Sequence, residues 1–208
     1  MIDKLNIITT KGFIIILFIV INITCSFVYS QEIGLLKEFK LDYLDQNNIV
    51  LTNNLKLQIK PDSGFINDII TFTRDEKVIF IDSLEITSEG FNFRLFEIKE
   101  RKEFLLIIES IYEFASFYPL YLINTDKILQ IGYLNIRLDC SECDSYNYPI
   151  EDIIVKGNEN KIEFIFKKDF EIITEDNSFK KKNEESMFVY DIINNKLIFK
   201  DSTKVEAW

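Results

Sequence analysis

Two cysteines, Cys140 and Cys143, stand three apart in the run 138–149, which reads LDCSECDSYNYP. A C-x-x-C supports three chemistries: a metal clamp, a redox centre or a structural disulfide. A structural zinc takes four thiolate or imidazole ligands. The chain has three cysteines and no histidine, and no second C-x-x-C. Asp139, Glu142 and Asp144 add only oxygen donors, a rarer mixed set. A redox thiolate needs a helix N-terminus or a cation beside it. Here the motif follows the strand-like YLNIRLD, and its acidic neighbours push a thiol pKa up. The reading that remains is a local Cys140–Cys143 disulfide. Its loop is so short that it stabilises by less than the ~3 kcal/mol of a 15-residue loop. Its role is to fix the turn that leaves the strand and to present a candidate binding loop carrying Glu142, Asp144, Tyr146 and Tyr148. The competing role for Tyr148 is packing beside Pro149.

The missing histidine excludes Ser-His-Asp and Cys-His nucleophile systems and every histidine-containing zinc site. Proton transfer near neutral pH falls to carboxylates, Lys, Tyr or Cys with shifted pKa values. Whether the chain is an enzyme stays open, with a non-catalytic role favoured; no cofactor or metal is expected. Carboxylates at Glu109/Glu113, Glu171/Glu175 and Asp144/Glu151 can each be written as an acid–base pair, but sequence spacing selects none of them. The aromatic group Tyr112, Phe114, Phe117, Tyr118 and Tyr121 is either core or a platform for a sugar or peptide, with core the ordinary reading on strands.

The compartment follows from the N-terminus. Lys4 and Lys11 precede the apolar stretch 12–24, and VYS at 28–30 fits a small-residue cleavage site. Residues 1–30 read as a secretory signal peptide, cleaved after Ser30. Two alternatives compete: lipidation of Cys25, which directly follows the apolar stretch in a poor lipobox, and an uncleaved membrane anchor over 12–29. All three export residues 31–208, read as one β-rich domain, to the periplasm, the medium or the envelope surface. Export places the cysteines where paired thiols oxidise.

Removing residues 1–30 takes Asp3, Lys4 and Lys11 with it. The remaining 178 residues hold 22 basic and 33 acidic side chains, a formal charge of −11. Nucleic acid is a poor partner for such a chain, because phosphate binding runs on Lys and Arg. A protein or an envelope glycan fits better.

The elements that must position these residues are strands. LKLQIKP (55–61), LNIRLDC (134–140) and KIEFIFK (161–167) alternate apolar and polar side chains with period two. Turn signals recur every 8–12 residues or so, the rhythm of an antiparallel sandwich or barrel. The expected strands are 35–44, 49–59, 66–73, 77–82, 91–98, 103–109, 111–123, 127–138, 150–156, 161–167, 170–174, 186–193 and 196–200. Residues 102–119 also admit a helix. The parity slip in FNFRLFEIK predicts a bulge near Arg94-Leu95, Asn194-Asn195 predicts a two-residue hairpin turn, and the polar run 175–186 predicts a mobile loop with a solvated lysine cluster.

The fold class is therefore all-β: an antiparallel sandwich or an irregular barrel-like meander. Three functions compete: an exported non-catalytic binding module with an inhibitor- or immunity-like role, a carbohydrate-active enzyme or sugar binder using carboxylates and aromatics, and a small-ligand carrier.

Overall fold

The structure is a computed structural model that describes residues 33–45, 47–52, 54–61, 67–84, 88–112, 115–140, 146–173, 179–183, 186–200 and 205–207. The segment 1–30 with Cys25, and Glu113, Phe114, Glu142, Cys143, Asp144 and Glu175, lie outside them. Contacts divide the chain into Met1–Ile33 and Gly34–Trp208, and every strand belongs to the second unit.

Two short strands, β1 (Gly34–Leu35) and β2 (Lys37–Phe39), open that unit. An N-terminal meander follows: β3 (Asp42–Asp45), β4 (Asn48–Thr52), β5 (Leu55–Pro61), β6 (Asp68–Arg74) and β7 (Lys77–Leu84) pair in sequence order. A second meander, β8 (Gly90–Ile98), β9 (Glu103–Tyr112), β10 (Ala115–Ile123) and β11 (Ile128–Leu134), takes β2 onto its β8 edge and forms the middle sheet. The rest of the chain supplies β12 (Ile136–Leu138), β13 (Ile153–Gly157), β14 (Lys161–Phe166), β15 (Phe170–Ile173), β16 (Phe179–Lys182), β17 (Met187–Asp191), β18 (Lys196–Lys200) and β19 (Val205–Ala207). The C-terminal sheet runs β1-β13-β14-β17-β18-β19, and a small sheet runs β12-β15-β16. The sheets are antiparallel and open, and no barrel closes. Among the described residues no helix is long and apolar enough to cross a membrane.

Two cores hold the layers together, one on each face of the middle sheet. Ile49, Leu57, Ile59, Ile70 and Phe72 of the N-terminal sheet pack on Phe93, Leu95, Leu106, Ile108 and Tyr121. Phe96, Ile98, Leu105, Ile107 and Leu120, on the opposite face, pack on Val155, Phe164, Phe166 and Phe199 of the C-terminal sheet and on Phe170 and Ile172 of the small one. The run FLLII of β9 is apolar at every position because both of its faces are covered. Glu103–Tyr112 is accordingly strand and not helix.

The same sandwiching corrects the bulge expected near Arg94-Leu95. Strands β8 and β9 pair without a break from Gly90↔Ile111 to Ile98↔Glu103. Phe93 and Leu95 point into the first core, Phe96 and Ile98 into the second. A polar–apolar parity change in a doubly buried strand marks a change of core, with no inserted residue.

Other expected strands divide. Residues 49–59 hold a hairpin, with Thr52 opposite Leu55. Residues 35–44 contribute to three different sheets, and 127–138 breaks at Asn135, where β12 leaves for the small sheet. Residues 150–152 form a 3₁₀ turn ahead of β13. The turn at Asn194-Asn195 spans 192–195, between Asp191 and Lys196, and Asp191 accepts the Asn194 N–H at 3.0 Å. Within the expected mobile loop, Phe179–Lys182 is a strand: it pairs with β15, and Lys181 reaches Asp139 at 2.9 Å.

Candidate functional site

Strand β8 puts Asn92 and Arg94 on the face opposite Phe93, and this alternation builds the wall of a cleft. The cleft has a volume of about 440 Å³ and is lined by Glu38, Tyr43, Asn92, Phe93, Arg94, Ile150 and Glu151. Five different segments converge there: β2, β3, β8, the 3₁₀ turn before β13 and, behind Asn92, β9.

Arg94 ties these segments together. Its Nε and Nη2 donate to Glu38 Oε1 and Oε2, both at 2.7 Å, a bidentate pair. Its Nη1 donates to the carbonyls of Ile150 at 2.7 Å and Ile153 at 2.6 Å. The guanidinium lies 4.8 Å from the Phe96 ring centroid. With these contacts made, Arg94 fixes the wall and retains little donor capacity for a ligand.

Behind the lining residue Asn92 lies Glu109 of β9, only 4% exposed. Asn92 Nδ2 donates to its Oε2 at 2.7 Å, Ser116 Oγ to Oε1 at 3.3 Å and Tyr118 Oη to Oε1 at 3.4 Å. Burial holds the Glu109 carboxyl above the usual carboxylate range; the Glu151 charge adds to this, while the three donors oppose it. Burial also pushes the Tyr118 hydroxyl far up. Glu151, on the 3₁₀ turn, is exposed at the rim.

The aromatic side is Tyr43, 54% exposed, with its ring 6.1 Å from Phe93, which in turn stacks with Phe91 at 6.2 Å. A half-exposed ring backed by rings from the core is a flat apolar surface of fixed orientation. Beside it stand an amide and a carboxylate. This combination suits a polar ligand with an apolar face, which stacks on the ring while its hydroxyls meet the planar groups.

The structure distributes the sequence-predicted residues differently. Tyr148 is fully buried and is not part of a binding surface. Its hydroxyl accepts the Lys168 N–H at 2.9 Å, and its ring packs edge-on against Phe166 at 5.5 Å. Its carbonyl accepts from Tyr118 Oη, so this tyrosine braces the loop against the middle sheet. Tyr146 is half-buried, under the Arg137 guanidinium at 4.9 Å. Cys140 follows β12, and its N–H turns back to the Leu138 carbonyl at 3.1 Å, a tight bend at the strand's end. Of the aromatic group, Tyr118 and Tyr121 are core, Phe117 is half-buried and Tyr112 is exposed. Glu171 pairs with Arg137 at 2.5 Å across β12 and β15.

Glu151 lines this cleft and Glu109 lies behind its Asn92, although the sequence placed the two in different carboxylate pairs. Glu38, Tyr43, Asn92 and Arg94 were not singled out from the sequence. For Asn92 and Arg94 the local signal is that polar residues interrupt the apolar face of FNFRLFEIK, which marks where that face is not covered. No protein-family model, curated protein or solved structure matches the chain.

Proposed function

We propose that residues 31–208 act as an exported, non-catalytic binding module for a polyhydroxylated component of the cell envelope, a glycan unit held in the cleft beneath Tyr43. The single observation behind this reading is a half-exposed tyrosine braced on core aromatics, facing Asn92 and Glu151 across a cleft of about 440 Å³. The cleft would seat one or two sugar rings. Titration calorimetry with soluble envelope-glycan fragments tests it. Saturable binding is expected, and Tyr43→Ala weakens it about ten-fold, since the ring contributes roughly 0.5–1.5 kcal/mol beyond its area. Tyr43→Phe keeps the ring and its packing on Phe93 and is expected to keep most of the affinity. No saturable binding, or equal affinity in Tyr43→Ala, overturns the reading.

A second reading rests on one observation, a buried carboxyl with a raised pKa beside a rim carboxylate. A carboxyl with a raised pKa working with a second carboxyl group is the pairing used in glycoside hydrolysis. Release of reducing ends from the same fragments, abolished by Glu109→Gln, would replace the binding module with a hydrolase.

Export by a cleaved signal peptide and a Cys140–Cys143 disulfide belong to the same proposal. The bend at Cys140 supports the disulfide, since it brings the chain round at the start of the C-x-x-C. The intact mass of the exported protein is expected to begin at Gln31 and to gain two hydrogens on reduction. A diacylglycerol mass on Cys25 would move the protein to a lipid anchor, and free thiols in the native protein would remove the clip.

A further inference from the structure

The N-terminal sheet ends in two edge strands, β3 and β7. Edge strands carry unpaired backbone groups and are normally blunted by charge, Pro or brevity. Strand β7 is eight residues long, and three of its aliphatic side chains are open to solvent: Val78 at 56%, Ile79 at 43% and Ile81 at 62%. An edge so long and so apolar calls for a cover.

The register of β7 shows which surface these side chains form. Phe72 lies opposite Phe80, but Thr73 lies opposite Val78, so Ile79 is an inserted residue. Ile70 and Phe72 point into the first core, so Thr71 and Thr73 point away from it. Residues directly opposed across an antiparallel pair share a face. Val78, opposite Thr73, and Ile81, opposite Thr71, therefore both sit on the outer face. Without the bulge they would lie on opposite faces.

We infer that β7 pairs antiparallel with β7 of a second copy of this chain, joining two N-terminal sheets into one continuous sheet across a two-fold axis between Ile79 and Phe80. In that register Val78 lies opposite Ile81 of the second copy, on the outer face that the bulge gives them both. Lys77 lies opposite Asp82 of the second copy, and both residues belong to the inner side, since they oppose Arg74 and Ile70. The symmetry makes each contact twice. The pairing is complementary in charge as well as shape: each Lys77 meets an Asp82, so the strip is neutral within a chain of formal charge −10. The other edge excludes itself, because an antiparallel copy of β3 that pairs its ends sets Asp42 against Asp45. A β3–β7 contact would be head-to-tail and would not close, whereas the two-fold contact stops at a dimer.

Sedimentation equilibrium of the exported protein reads the dimer directly. Wild type is expected to self-associate to a dimer. Ile81→Lys places like charges on the outer face and raises the dimer dissociation constant at least about ten-fold. It leaves the monomer's far-UV spectrum unchanged, since the site is exposed. Lys77→Glu and Asp82→Lys, each alone, are expected to be monomeric; an equimolar mixture re-forms a dimer, because each mismatched charge then meets its opposite. Asp82 also accepts a hydrogen bond from Tyr121 Oη at 2.7 Å, so Ile81→Lys decides the matter if Asp82→Lys does not fold. A monomeric wild type overturns the inference. So does a dimer that survives Ile81→Lys, or a folded charge-swapped mixture that stays monomeric.

Discussion

Glu109 shows how one buried side chain sets a pH dependence. Its carboxyl is held above the usual range chiefly by burial. In the unfolded chain the same group titrates near about 4.3. A raised native pKa means that the folded state holds the proton more tightly. The stability this contributes is fully present below the unfolded pKa and is lost as pH rises through the native one. Glu109→Gln removes the titration and keeps an acceptor for Ser116 and Tyr118. Urea unfolding of the two proteins is expected to show a stability difference that moves in favour of the variant as pH rises from about 4 to neutral. A difference constant across that range would mean that Glu109 titrates alike in the folded and unfolded chains. The polar partners Asn92, Ser116 and Tyr118 are separated from Glu109 by seven to seventeen positions along the chain, and only hairpin register brings them together. Neither the register nor the burial of Glu109 is visible in its local sequence. Tyr148 teaches the same lesson in reverse. Its acidic, polar neighbours suggest a surface, yet the chain turns at Pro149 and points the ring at Phe166 and Phe170.

At the scale of elements, alternation located strands wherever one face meets water, as in LKLQIKP of β5 and KIEFIFK of β14, both with every second residue buried. It failed in two physical situations. Short edge pieces such as β1, β2 and β3 bury too little to impose a pattern, so 35–44 looks like one strand and serves three sheets. Strand β16 looks like loop because its lysines find other partners than a core face: Lys181 reaches the carboxylates of Asp139 and Glu171, and the Lys182 ammonium lies over the Phe199 ring. Turns were placed better than they were typed. Asp75 and Glu76 both adopt positive φ, 48° and 64°, the left-handed pair of a type I′ hairpin, without the Asn-Gly that usually announces one. Asn194-Asn195 carries the usual signal and yet sits in a longer turn, where only Asn195 has positive φ. The candidate cleft depends on β2 leaving the first strands to pair with β8, the connection hardest to infer from local sequence, and so the cleft was the least legible part of the molecule.

For the molecule as a whole, the middle sheet is the shared wall of both cores, and this makes its stability common property. Strand β9 supplies Leu106 and Ile108 to the first core and Leu105 and Ile107 to the second. Losing the N-terminal sheet would bare one face of β8, β9 and β10, a mostly apolar face that carries Phe93, Leu95, Leu106, Ile108 and Tyr121. The two cores are therefore expected to unfold together and not in sequence. Leu57→Ala tests this from one side. Leu57 is fully buried in the first core, and β14 packs only in the second. Truncation should cost about 2–5 kcal/mol. Native-state hydrogen exchange is expected to show the amides of β14 losing as much protection as those of β5, because both open only with the middle sheet. If β5 alone loses protection while β14 keeps its wild-type rate, the N-terminal sheet detaches independently, and the two cores are separate folding units built on one strand set.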